Sequence, residues 1–320
     1  MGAAFVFPGQ GSQSVGMGRE LAERYQAARE VFARVDDALG QPLSELIFSG
    51  PESELTLTAN AQPALMAVSL AATRALEAEA GLDIRREALF VAGHSLGEYS
   101  ALAAAGALTI EAAAKLLRIR GRAMQAAVPV GEGAMAAILG LDFSQASAIA
   151  DKAVEAVGAP GAVCQAANDN GGGQVVISGT KAAVERAMEI AKAKGAKRAV
   201  ALPVSAPFHC TLMQPAADAM RAALAEVQIK APVVPLVANV LAAAIRDPEE
   251  IRRCLIEQVT GAVRWRESVL FMAQHGVDRY VELGAGKVLT GLIKRIVEGA
   301  LVFNVATPAD VEAYLAPAPR

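Results

Sequence analysis

Gly93-His94-Ser95-Leu96-Gly97 is where this 320-residue chain most openly offers chemistry. A short apolar run, Ala88-Leu89-Phe90-Val91-Ala92, precedes it, and a helix-like run from Leu96 to Leu108 follows. G-x-S-x-G between a strand and a helix is the pattern of a nucleophile elbow, a turn so sharp that the serine Oγ stands clear of the backbone. Glycines at 93 and 97 let neighbouring chain close in where a side chain would collide. The helix that starts beyond the serine offers free amide N–H groups and the positive end of its dipole to a developing oxyanion. The same residues would also make an ordinary serine N-cap. With these flanks, Ser95 reads as a nucleophile.

A serine needs a base, and the chain has three histidines. His94 adjoins the serine on the tight turn, so its ring points away and has a packing role. His275 falls near the end of a helical run and before Gly276, the place of a capping or solvated histidine. His209 lies in a proline-bracketed loop, Pro203-Val204-Ser205-Ala206-Pro207-Phe208-His209-Cys210, after an expected strand. Loops beyond strand ends are where α/β folds carry their working groups. Serine first and histidine much later is also the chain order of α/β-hydrolase sites. Cys210 beside His209 does not make a Cys/His pair, because adjacent side chains rarely face each other and a free cysteine is usually buried.

The elements that must hold these groups alternate strand with helix. Ala3 to Phe7 is apolar and stops at Pro8 and a glycine-rich loop, Gly9 to Gly18; a helix over 19–39 is expected next. Gln62-Pro63 reads as the opening of a helix to about Ala80, and another helix runs from about Ile110 to Ala127. Strands separated by helices at this spacing indicate a parallel sheet covered on both faces. From Gly131 the rhythm changes to β-α-β-β-α-β, with strands near 134–139, 162–167, 174–178 and 197–202, which is the ferredoxin-like order. The polar turn Asn168-Asp169-Asn170-Gly171-Gly172-Gly173 interrupts it. The last third returns to the first rhythm, with strands near 233–237 and 280–283. The expected fold is therefore α/β: a parallel sheet flanked by helices over residues 1–130 and 199–320, with a small ferredoxin-like domain inserted at 131–198.

Length and composition leave room for a sizeable core, in one large domain or a large domain with an insertion. The chain is 53% hydrophobic and 20% charged, with a net charge of −3. Near-neutral charge gives no footing for nucleic acid as a partner. Cys164, Cys210 and Cys254 are odd in number and lack metal-ligand spacing, so reduced thiols in a cytoplasmic protein are expected. The N-terminal segment has no basic region before a short apolar run, and Val6 does not suit a myristoylation signal. Glu111 and Lys115 interrupt the best membrane-span candidate, so no membrane partner is expected. Gly9-x-Gly11 lacks the third glycine of a dinucleotide fingerprint, since Ser14 stands there, and Gly286-Lys287 lacks the upstream glycine of a P-loop, since Val281 stands there.

Four stretches occur in register with one known pattern: Phe7-Pro8-Gly9-Gln10-Gly11-Ser12-Gln13, Gly93 to Ala101 with its Glu98-Tyr99-Ser100, Arg120-Gly121-Arg122-Ala123-Met124-Gln125, and Phe208-His209. With Gly286-Lys287-Val288-Leu289-Thr290-Gly291-Leu292 near the end, the chain resembles the malonyl-CoA:acyl carrier protein transacylases of bacterial type II fatty acid synthesis over nearly its whole length. The resemblance implies a hydrolase-like parallel sheet and a site with assigned roles. Ser95 would attack the malonyl thioester and His209 would take its proton. The backbone amides of Leu96 and Gln10 would form the oxyanion hole. Arg120 would bind the free malonyl carboxylate, a task suited to the guanidinium fork. Helical spacing alone leaves Arg118, Arg120 and Arg122 open; it puts 118 and 122 on a shared face, read as a solvated stripe, and the motif selects Arg120. The backbone carbonyl of Gln258 would orient His209, and Phe208 would narrow the pocket against a methyl branch.

The reaction so implied is ping-pong: malonyl-CoA acylates Ser95, and the phosphopantetheine thiol of acyl carrier protein removes the malonyl group. It calls for no metal and no bound cofactor, and the protein is expected to work as a monomer. Lys192, Lys194, Lys197 and Arg198 are candidates for steering an acidic carrier, and the Asn168–Gly173 turn for touching CoA. The rivals are a serine esterase or lipase, which would not need Arg120, an acyltransferase for another extender unit, and an inactive carrier-binding protein.

Overall fold

The computed structural model describes residues 2–204 and 206–315; Ser205 of the histidine loop lies outside the described residues, as do Met1 and residues 316–320. The strands are β1 (Gly2–Phe7), β2 (Ala88–Gly93), β3 (Gly133–Leu139), β4 (Cys164–Asp169), β5 (Gln174–Thr180), β6 (Arg198–Ala201), β7 (Leu236–Ala238), β8 (Ala243–Ile245), β9 (Val277–Leu283) and β10 (Leu301–Val305). They make a six-stranded sheet ordered β10-β9-β1-β2-β7-β8 and a four-stranded sheet ordered β4-β5-β3-β6. The large sheet is parallel except where β8 folds back on β7. The small sheet pairs antiparallel throughout, in the order a β-α-β-β-α-β chain gives when each crossover returns beside the first strand. The mixed α/β class expected from the sequence is what forms, and the last small-sheet strand reaches Ala201.

Period-two alternation explains the two faces of the large sheet. Phe5 and Phe7 of β1 enter one buried cluster while Ala4 and Val6 enter the other. Burial on both faces is the usual condition of a parallel sheet, and it hides the alternation in the sequence as a continuous apolar run. The small sheet has its own cluster, with Ile138 and Ile177 packed on Ile149 and Val184 of the helices Phe143–Val157 and Lys181–Ala193.

Two helices depart from expectation. The run over 19–39 is broken at Tyr25, whose φ of −117° and ψ of 124° are extended, into Arg19–Arg24 and Gln26–Leu39. The helix expected to open at Gln62-Pro63 starts a turn earlier and spans Thr58–Ala80, with Pro63 inside it. Proline there removes one hydrogen bond to the preceding turn. The helix tolerates the loss because it is buried on nearly every side, so tertiary packing outweighs propensity. The consequence for the site is direct, because Gln62 becomes a buried residue within the helix. Helix Ile110–Ala126 crosses this one at Gly121, where a Cβ would lie 2.5 Å from the Thr58 carbonyl oxygen. That close crossing sets Arg120 beside Gln62. Strands β8 and β10 and the helix Gln214–Ala225, absent from the sequence reading, complete the large unit.

Register places the loops that matter. Phe7 pairs with Gly93 and Ala92 with Val237, so β1, β2 and β7 end side by side. The glycine-rich loop after β1 therefore lies against the elbow after β2: a Cβ on Gly97 would sit 2.2 Å from the Phe7 carbonyl oxygen, and one on Gly9 would sit 2.7 Å from that of His94. A Cβ on Gly93 would come within 1.9 Å of the Gly97 carbonyl carbon. The obstacle is backbone, not a side chain that can swing away. Gly93→Ala is expected to cost about 3 kcal/mol, the upper part of the range for overpacking, read as a lowered denaturation midpoint. An unchanged midpoint would show that the elbow can open without loss.

Candidate active site

Ser95 and His209 share an uncommon backbone state. Only three non-glycine residues among those described have positive φ, and these two are among them, at 53° and 58°. Such a conformation costs energy for a side chain with a Cβ and persists only where the surroundings enforce it. At Ser95 the enforcing contacts lie on either side of the turn. Its N–H donates to Asn239 Oδ1 at 2.8 Å, and its carbonyl accepts from Gln258 Nε2 at 3.0 Å. Helix Gly97–Ala104 starts just beyond, so the Leu96 amide belongs to the helix end whose N–H groups have no acceptor within the helix. Gln10 lies on the loop after β1, and its side-chain amide reaches Thr58 Oγ1 at 3.3 Å.

Ser95 Oγ and His209 Nε2 are 2.8 Å apart. The other ring nitrogen, Nδ1, faces the backbone carbonyls of Gln258 at 2.9 Å and Gly261 at 3.2 Å. Carbonyls only accept, so Nδ1 carries the hydrogen and Nε2 is left with its lone pair toward the serine. The serine hydroxyl therefore donates to Nε2. No carboxylate is needed for this tautomer. The ring is 5% exposed, and burial followed by the nearby positive charge of Arg120 holds its pKa down to about 3. It is neutral at any working pH, as a proton acceptor must be.

Arg120 is 1% exposed. Its Nη1 donates to Gln62 Oε1 at 2.8 Å; its Nη2 donates to Gln258 Oε1 at 2.8 Å and to Ser95 Oγ at 3.0 Å. Burial lowers its pKa, while Tyr99 and Glu98 act the other way. The buried Nε has no hydrogen-bond partner among the described residues. A guanidinium has five N–H donors, and those three bonds leave some to spare for an incoming carboxylate. One buried cation within 3 Å of the serine oxygen is an arrangement for an acyl group that carries its own negative charge.

The remaining sequence candidates fall in different places. Leu96 and Phe208 are buried. His94 turns its ring from the serine; its Nε2 lies 3.0 Å from Asn170 Oδ1 and its centroid 5.8 Å from that of Trp265. His275 caps its own helix, with Nδ1 2.7 Å from the Phe271 carbonyl. The Cys210 thiol donates to the Pro207 carbonyl at 3.2 Å, and burial pushes its pKa up. Lys192, Lys194, Lys197 and Arg198 are exposed on the small unit. Arg122 is exposed but Arg118 is not: at 7% exposure it donates to Asn60 Oδ1 where the second helix crosses, which corrects its reading as part of a solvated stripe. Asn168, Asp169 and Asn170 are buried between the two sheets' units; Asp169 pairs with Arg266 at 2.8 Å, and its N–H donates to the Val263 carbonyl at 2.9 Å.

Gln62, Glu98 and Asn239 touch the site and were not singled out from the sequence. Glu98 left a signal, as the one charged residue in an otherwise neutral helix directly after the elbow. Gln62 left a fainter one, polar in a long buried helix, and Asn239 left none.

The histidine carries a pH prediction. Between about 3 and its ordinary value of 6.5 the unfolded chain binds a proton at this residue and the folded one does not, so stability falls as pH drops through that window. The His209 ring should show neutral-imidazole NMR shifts down to pH 5, and in Arg120→Ala its titration should move upward. A wild-type titration near 6.5 would contradict this account of the burial.

Comparison with known proteins agrees with the geometry. An acyl transferase domain family matches residues 4–310. The malonyl CoA-acyl carrier protein transacylase of Bacillus subtilis is 47% identical over 309 residues, covering 97% of this chain and 95% of the relative. That of Escherichia coli K12 is 46% identical over 312 residues, 98% of each. Among solved structures, an acyl-carrier-protein-S-malonyltransferase from Bartonella henselae superposes with a TM-score of 0.94 at 57% identity, covering 98% of both chains. A malonyl-transacylase in complex with its type II PKS acyl-carrier protein superposes at 0.93 and 42% identity, covering 98% of this chain and 99% of the other.

Proposed function

The chain belongs to the acyl transferase domain family, among the malonyl CoA-acyl carrier protein transacylases, and from that premise we propose that it moves a malonyl group from CoA to acyl carrier protein. The single observation that supports this most is Ser95 Oγ held between His209 Nε2 and Arg120 Nη2. A hydrolase of simple esters would have no use for the buried cation.

Ser95 Oγ attacks the thioester carbonyl of malonyl-CoA as its proton passes to His209 Nε2. The amides of Leu96 and Gln10 hold the oxyanion of the tetrahedral intermediate. The carbon–sulfur bond breaks, and the CoA thiolate leaves with the proton from His209. The phosphopantetheine thiol of the carrier then repeats the sequence in reverse: it gives its proton to His209, attacks the malonyl-serine, and Ser95 recovers the proton. Arg120 grips the free carboxylate in both halves, with Phe208 as the wall against a methyl branch. The Gln258 carbonyl keeps His209 in the productive tautomer throughout.

The steps use side chains and backbone only, with no metal and no cofactor. Residues 131–198, with β6 to Ala201, act as the small domain, and the rest as the catalytic one. Exposed Lys192, Lys194, Lys197 and Arg198 lie on the small domain, suited to an acidic carrier. No helix among the described residues is long and apolar enough to cross a membrane; a monomer in the cytoplasm, supplying fatty acid synthesis, fits these features.

Brief exposure to malonyl-CoA should leave a malonyl adduct that mass spectrometry maps to Ser95, and holo acyl carrier protein should clear it faster than water does. Equal clearance without the carrier points to a hydrolase. Arg120→Ala should slow acylation by malonyl-CoA about 100-fold, the cost of truncating one partner of a buried charge pair, and slow acetyl-CoA far less. Equal losses with both thioesters would remove Arg120 from the role of carboxylate ligand.

A further inference from the structure

Glu98 has no part in the reaction just described, yet it is 1% exposed and lies one turn from the nucleophile. A carboxyl group taken out of water is costly unless its oxygens are hydrogen-bonded. Both are. Oε1 accepts from the Asn239 backbone N–H, and Oε2 accepts from Gln258 Nε2. Those two donor residues in turn hold most of the site. The Asn239 side chain accepts from the Ser95 N–H at 2.8 Å and donates to the Gly93 carbonyl at 2.7 Å. The Gln258 carboxamide donates to the Ser95 carbonyl at 3.0 Å and accepts from Arg120 Nη2 at 2.8 Å, while the Gln258 backbone carbonyl accepts from His209 Nδ1 at 2.9 Å.

We propose that Glu98 is the positioning residue of this site: its carboxylate fixes Asn239 and the orientation of the Gln258 carboxamide, and through them Ser95, Arg120 and His209. The orientation follows from charge. A carboxamide lying between a carboxylate and a guanidinium can satisfy both only by turning its NH2 to the first and its oxygen to the second. Glu98 thus dictates that the group facing Arg120 is an acceptor and that the group facing the Ser95 carbonyl is a donor. The pair also balances charge, since Glu98 supports the charged form of Arg120 at close range. Gln258 is more than a carbonyl for the histidine; its side chain links the anion to the cation. Glu98 touches no reacting atom.

This inference rests on the transacylase reading, and the test separates the two. Single-turnover acylation of Ser95 is measured with malonyl-CoA and with acetyl-CoA, for wild type, Glu98→Gln and Glu98→Asp. Glu98→Gln is nearly isosteric but sets an NH2 group against two donors. If Gln258 turns over to meet it, its own NH2 faces Arg120. Acylation by malonyl-CoA should fall about 100-fold, as for reacting groups displaced by about 1 Å, and the preference for malonyl over acetyl should fall about 10-fold, a loss that mere loosening of the fold would not produce. Glu98→Asp, which keeps the charge, should recover part of both. Glu98→Gln with wild-type rate and preference would overturn the proposal while leaving the transacylase reading intact; a wild type that forms no malonyl-serine would sink that reading instead. Should the variants not fold, NMR of the unaltered protein decides. The Gln258 side-chain amide proton facing Glu98 should resonate well downfield of other glutamine amides, and two ordinary amide resonances would overturn the assignment.

Discussion

A guanidinium with no water around it must be answered by the protein, and most of this site can be read as the answer to Arg120. Leaving a buried charge without partners is among the costliest things a fold can do. Here two carboxamide oxygens and the serine oxygen meet three of its N–H groups. All three are weak enough partners to give way to a carboxylate, which makes a stronger, charge-assisted bond. The same cation helps hold His209 neutral and lends Glu98 its counter-charge. A lysine at this position would offer one point charge and could not face Gln62, Gln258 and Ser95 in one plane.

The second constraint is steric. Ser95 and His209 are both held at positive φ, from the two segments of the large unit's sequence, and each is hydrogen-bonded by residues remote in the chain. At the elbow the space is so limited that three glycines face backbone atoms within 2.7 Å of where a Cβ would stand. Close approach on this scale serves the chemistry, because it brings the first loop, the helix N-terminus and the β7 end to one point. Burial of Glu98 belongs to the same economy of space: desolvation raises its pKa, and the Asn239 amide, the Gln258 carboxamide and Arg120 act the other way.

Much of this was legible in the chain, and the residues show why. The elbow is a local device: a strand, a turn that demands glycine, and a helix start leave their marks within a dozen residues. His209 was found by elimination among three histidines and by its loop, and Arg120 by its place in a motif. Pro63 misled because proline is a local signal, and here packing around a largely buried helix overrode it. Arg118 misled for the opposite reason: its helical face is right, but the neighbouring helix covers it. Asn239 was invisible, since a single asparagine after three apolar residues carries no pattern.

Taken by itself, the sequence determined the class of fold and pointed to Ser95 and His209 through residue type and short-range spacing, while the choice of Arg120 among its neighbours followed only from the family resemblance. Only the tertiary structure decided the tautomer of His209, the three acceptors around Arg120 and the place of Glu98 between Asn239 and Gln258. Those depend on hydrogen bonds between residues up to 160 positions apart. Such bonds are directional to a few tenths of an ångström, and only the packed sheet and helices set distances that finely.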